Sequence, residues 1–186
     1  MAVEDIYFDD AERFLDSLSP RSTHFTAPIP GQYIFRGHGD ATWLLTPTIF
    51  RPSAFLRFQA QWFSASILEG SRHVRAEIET MAEFFRIADE SGLPVPEDSY
   101  ELRKEFEKWY ERDSSCSLYL WPPGKLLSIS ALMQHYNLPT RLLDWTFDSR
   151  IAAYFAAKDA IRLSAGQPHL NPSMSLCVWS IDVSTV

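Results

Sequence analysis

Gln32-Tyr33-Ile34-Phe35-Arg36-Gly37-His38-Gly39-Asp40 is the stretch on which the reading of the fold turns. Residues 32–35 form a short aromatic and β-branched run of strand type, and the prolines and small polar residues from Ser22 to Gly31 read as the loop that delivers the chain into it. Arg36 is therefore expected where the strand ends. Gly37 and Gly39 bracket His38, and because glycine reaches positive φ without steric cost, a tight backbone excursion is expected there. A second run of strand composition, Leu176-Cys177-Val178-Trp179-Ser180-Ile181-Asp182-Val183, lies near the other end of the chain.

Most of the chain between these two runs has helical spacing. Val74, Ile78, Met81, Phe85 and Ala88 step by 4, 3, 4 and 3, with Gly92 and Pro94 as stop signals. Leu102, Phe106 and Trp109 repeat the pattern after Asp98, which is expected as the N-cap, while Glu101, Lys104, Glu105 and Lys108 form a solvated outer face. Phe55, Phe58, Trp62 and Ile67 permit a further helix over 54–69, which completes a helical middle segment over 53–115. Phe8, Ala11, Leu15 and Leu18 predict an N-terminal helix within residues 1–20, closed by Pro20.

Leu127 to Tyr136 predicts a helix that ends before Pro139, because the residue before proline avoids the helical region. Ile151, Tyr154 and Phe155 lie in an alanine-rich stretch that predicts a small-residue helix suited to close packing on a sheet. The fold class is α+β: a helix-rich single domain over 1–186, packed around a small β-sheet with strands near 32–36 and 175–183. The chain stops three residues after Val183. That fits either a domain cut from a longer protein or a short protein whose last strand closes the sheet.

Composition narrows the function classes. The 186 residues suffice for a core without staples, and 46% hydrophobic with 14% aromatic content is far from a disordered profile. No apolar run reaches the roughly 20 residues of a membrane span, and the acidic start lacks the regions of a signal peptide, so a cytoplasmic, membrane-free location is expected. Cys116 and Cys177 have no neighbours at ligand spacing, so neither a metal site nor a disulfide framework is indicated. A net charge of -7 disfavours nucleic acid as a partner while allowing a local basic pocket. No P-loop, paired-histidine metal motif or nucleophile elbow is present.

Two segments hold more polar residues and more glycine or proline punctuation than packing demands: Phe35 to Trp43, and Gln134-His135-Tyr136-Asn137-Leu138-Pro139-Thr140-Arg141-Leu142-Leu143-Asp144-Trp145-Thr146. With Leu45-Thr46-Pro47, Arg51 and Ala152-Ala153-Tyr154-Phe155-Ala156, they resemble the FRG domain family of bacterial and phage-related proteins, named for the triplet that stands here at Phe35-Arg36-Gly37. The resemblance runs from about residue 30 to the C-terminus. The Arg-Gly pair is also similar to the first motif of ADP-ribosyltransferases, where an arginine holds the dinucleotide. Those enzymes carry a catalytic glutamate on a late strand, and here that strand offers only Asp182. Asp144, Asp148 and Asp182 are the available substitutes for a carboxylate that would steady an oxocarbenium-like transition state.

Each candidate residue has a functional and a structural reading. Arg36, followed by Gly37 and His38, either grips a ligand phosphate or carboxylate or forms an internal ion pair with Asp144 or Asp148. His38 reads as a surface histidine beside that ligand site. His135 is a general acid or base, or else a capping or core histidine. Arg141 and Asp144, three apart, pair with each other if the segment turns helically, with Asp144 as the alternative catalytic carboxylate and Arg141 as a ligand contact. Thr146 faces a bound phosphate or caps a helix that begins near Phe147. Trp43, Trp145 and Tyr136 offer faces for stacking on a base, or belong to the core.

The resemblance implies an effector domain that acts on or binds a nucleotide, with NAD as the cofactor, transferase-like chemistry, and a role in bacterial defence or as a toxin. From a different class comes a non-catalytic recognition module that binds a protein partner, a nucleotide or another small-molecule ligand.

Overall fold

The computed structural model describes residues 3–20, 22–25, 32–51, 70–111, 121–165 and 175–184. Its elements in order are α1 (Ala11–Ser17), β1 (Tyr33–His38), α2 (Gly70–Glu90), α3 (Tyr100–Glu111), α4 (Leu127–His135), α5 (Ser149–Ala165) and β2 (Cys177–Asp182). The fold is α+β, as the sequence predicts. The expected helix over 54–69, the side chain of Trp109 and Cys116 lie outside the described residues. The chain divides into two compact units, one formed by Met1–Leu44 with Asp144–Val186 and the other by Leu45–Leu143.

In the first unit β1 and β2 pair antiparallel, with Tyr33 opposite Asp182, Arg36 opposite Trp179 and His38 opposite Cys177. Phe35 also exchanges both main-chain hydrogen bonds with Thr146, at 2.7 and 2.9 Å, so one residue of the later polar segment extends the sheet on the other edge of β1. β1 runs two residues past Arg36, and neither Gly37 nor Gly39 has positive φ; among the described glycines only Gly92 does. The expected turn is therefore a strand, and its glycines serve close approach instead.

A Cβ built on Gly37 would fall on the carbonyl oxygen of Ala152, and one on Gly39 would lie 2.5 Å from the nitrogen of Ala160. Helix α5 lies directly against β1. Ala152 and Ala156 are buried in that contact and Ala153 is buried beside them, while Ile151, Tyr154 and Phe155 are exposed. The small residues of α5 face the sheet and its large ones face outward.

The start of α5 differs from expectation. Asp148 is the cap, its Oδ1 accepting from the nitrogens of Arg150 at 2.8 Å and Ile151 at 3.4 Å. Thr146 Oγ1 accepts from Asp148 N and so orders the turn before the cap. A carboxylate at the positive end of the helix also favours the dipole.

The second unit contains the main apolar core. Val74, Ile78, Met81, Phe85 and Ala88 are all buried, as their spacing predicts, and Leu102, Phe106, Trp121, Leu126, Ile129 and Met133 pack with them. Helix α2 ends as Gly92 takes φ 66° and Leu93 N reaches back to Ala88 O at 2.8 Å. Helix α4 ends in the same way, with Asn137 at φ 61° and Leu138 N donating to Met133 O at 3.0 Å, so a left-handed asparagine closes this helix ahead of Pro139. At α3 the cap is Ser99, whose Oγ accepts from Leu102 N at 3.2 Å; Asp98 instead binds Arg103, with a salt bridge of 2.8 Å.

Two substitutions test these packings by urea denaturation. Phe85→Ala removes most of a buried ring and is expected to cost about 3–5 kcal/mol. Gly37→Ala forces α5 off β1 and is expected to cost about 3 kcal/mol or more, the upper range for overpacked sites. Gly124→Ala, with nothing within 4 Å of the added carbon, is the control. Equal midpoints for Gly37→Ala and Gly124→Ala would show that the close approach carries no weight.

Candidate functional site

Because side chains alternate along a strand, Phe35 and Gly37 face α5 while Arg36 and His38 face the other side of the sheet. Directly paired residues of antiparallel strands share a face, so Trp179 and Cys177 join Arg36 and His38 there. Arg36 Nη1 donates to the main-chain oxygen of Asp144 at 2.7 Å, and its Nε donates to His38 Nε2 at 3.2 Å. Asp144 and Thr146, at the end of the second motif segment, thus meet the first segment at this strand.

His38 is 3% exposed, which overturns its reading as a surface histidine. With Nε2 accepting from Arg36, the proton belongs on Nδ1, which lies 3.3 Å from the carbonyl oxygen of Trp43. Its ring packs against Trp43 and lies edge-on to Trp179. His38 therefore positions Arg36 from within the strand.

Trp179 presents a different situation. Its Nε1 is buried and, among the described residues, has no hydrogen-bond partner. The Cys177 sulfur, a weak acceptor, is the group it interacts with. Burial is the main cause raising the Cys177 thiol above its ordinary value, helped by the charges of Asp40 and Asp5 and opposed by Trp179. Cys177 is therefore a poor nucleophile.

Two of the candidate carboxylates serve structure. Asp148 caps α5. Asp182 accepts from Gln32 Nε2 at 3.0 and 2.9 Å and from Ser184 N at 2.8 Å. Its pKa is lowered first by the hydroxyl and N–H of Ser184. Asp182 pairs with Tyr33, three positions along from the Arg36–Trp179 pair, or about 10 Å away. Asp144 is exposed, and its main-chain oxygen is what Arg36 grips.

Arg141 and His135 belong to the second unit. Arg141 forms a fork on Glu77, with Nε at 2.8 and 2.7 Å from the two carboxylate oxygens and Nη2 at 2.6 Å. Trp121 Nε1 donates to the same carboxylate at 2.8 Å. Glu77 is 8% exposed, so the ion pair is largely withdrawn from water and is held by charge-assisted hydrogen bonds on both sides. A small cleft in front of it is lined by Thr80, Ser130, Thr140 and Met133 among others. His135, the last residue of α4, is exposed, its ring edge-on to Tyr136, so the core reading of this histidine falls.

Sequence reasoning missed Glu77, Trp121 and Trp179. Glu77 carried a signal, for it stands three residues after Val74 and four before Met81, a carboxylate inside a buried apolar stripe. Its partner is 64 residues away, at a distance no local pattern spans. Trp179 looked like one more aromatic of a buried strand.

No curated protein and no solved structure matches this chain. The FRG domain family profile matches residues 31–164, a span that takes in β1, α2 to α4, all but the last residue of α5, and both polar segments. With the Phe-Arg-Gly triplet set in β1 and sealed against α5, the chain belongs to the FRG domain family.

Proposed function

We propose that this domain is a non-catalytic recognition module for a phosphate-bearing ligand of the nucleotide class, bound on the sheet face of Arg36 and Trp179. The carrying observation is the buried indole N–H of Trp179, directly across the strand pair from Arg36, which has only the weakly accepting Cys177 sulfur beside it. A buried donor left without any acceptor costs about 1–3 kcal/mol; a thiol sulfur offsets only part of that, and an oxygen brought by a ligand would recover the rest. Arg36, held by His38 and Asp144, is a guanidinium of fixed direction beside it, suited to phosphate. The rings of Trp43 and Trp179 on either side of His38 supply apolar surface for a base.

Transfer chemistry has less support. Asp148 is committed to a helix cap, and Asp182 is tied to Gln32 and Ser184 about 10 Å from Arg36, which leaves exposed Asp144, bound to Arg36 through its main-chain oxygen, as the one carboxylate candidate beside it.

Calorimetric titration of NAD, ADP and ATP into wild type, Arg36→Ala and Trp179→Phe tests the proposal, with thermal unfolding measured beside it. Wild type is expected to bind at least one nucleotide. Arg36→Ala should weaken it by about 1.5–3 kcal/mol. Trp179→Phe keeps the ring and removes only the donor, so it should lose about 1 kcal/mol of affinity with stability unchanged or raised. The absence of binding by wild type up to about 1 mM ligand would sink the nucleotide reading. Release of nicotinamide from NAD would instead overturn its non-catalytic half.

A further inference from the structure

Helix α5 inverts the usual arrangement of an amphipathic helix. Ala152 and Ala156 are buried against β1, and Ile151, Tyr154, Phe155 and Ile161 stand 45, 62, 54 and 71% exposed. These residues recur at intervals of three, four and seven, so they form one outward stripe. Arg150, Lys158 and Arg162 are exposed on the same helix, Arg162 in an exposed 2.9 Å salt bridge with Asp159, the one acidic residue within it. A face on which apolar side chains and cations interleave is therefore displayed on a chain whose net charge is -7.

The complement of that surface exists elsewhere in the same unit. The segment from Val3 to Leu18 carries Glu4, Asp5, Asp9, Asp10, Glu12 and Asp16 against Arg13 as its one cation. Val3, Ile6, Tyr7 and Leu15 of this segment are 69, 48, 87 and 52% exposed. The segment lies outside the residues that match the family, whereas the stripe lies within them. Both surfaces stand open in one molecule.

We propose that the outer face of α5 takes the acidic N-terminal segment of a second copy of this chain. The apolar side chains would drive the contact and the opposed charges would set its orientation. If the two copies exchange segments reciprocally, the assembly closes as a dimer with two equivalent contacts. The proposal is independent of the ligand site on the opposite face of the sheet.

Sedimentation velocity of the full chain from about 1 to 200 µM tests it, since a dissociation constant in that range is ordinary for a small interface. Wild type is expected to dimerise. Tyr154→Glu with Phe155→Glu should raise the dissociation constant by about tenfold or more, with circular dichroism unchanged because both side chains are exposed. Asp5→Lys with Asp9→Lys should weaken the dimer as well, and adding Lys158→Glu and Arg162→Glu should restore it by exchanging the charges. A monomer at every concentration overturns the proposal, as does a dimer insensitive to both sets of substitutions. A chain that stays monomeric yet binds a synthetic peptide of residues 3–18 also overturns it, and assigns the face to an acidic segment of another protein.

Discussion

The first unit is organised by the close approach of α5 to β1 at Gly37 and Gly39, where no side chain fits between strand and helix. Every other arrangement there follows from that contact. With alanines of α5 against the glycines, the helix lies within backbone distance of the strand, and the alternation of β1 sends Arg36 to the other face. The same contact decides which side of α5 is left for solvent. The bulky residues have no room beneath the helix, so Tyr154 and Phe155 are displayed.

The second unit depends on a different constraint, the satisfaction of a buried charge. Glu77 sits among the apolar residues of α2 and is tolerated there because Arg141 and Trp121 together occupy both of its oxygens. Arg141 in turn stacks over Phe50 at 5.1 Å from the ring centre. Replacing either charged partner alone would leave the other buried without a counter-charge, which costs far more than the pair gains over an apolar substitute. The segment after α4 is thereby tied to α2 by a geometry-specific bond as well as by packing.

What could be read from the sequence divides along the range of the interaction. The stripe of α2 was legible because burial on one helix face repeats locally, and Gly92 announced its own cap. Gly37 was legible as a special position but for the wrong reason: a glycine pattern does not distinguish positive φ from close approach, and the partner that decides, Ala152, is 115 positions along the chain. The caps at Ser99 and Asp148 were each missed by one or two residues, since neighbouring side chains of similar capping power compete and the backbone settles the choice. His38 was taken for a surface residue because flanking glycines suggest a loop; pairing with Cys177 on a strand 139 residues later buries it.

The Phe-Arg-Gly triplet has a consequence for how such chains can vary in length. Within β1 the residues that must be flat against a helix alternate with those that project from the opposite side, and that alternation has a strict period of two. Inserting or deleting one residue between Phe35 and Gly39 would turn Arg36 or His38 toward the main chain of α5 and point a glycine at Trp179. Changes in chain length are therefore confined to the segments outside the strand, and the spacing from Phe35 to Gly39 is as fixed as the residues themselves. The triplet behaves as a ruler whose divisions are the pleats of the strand.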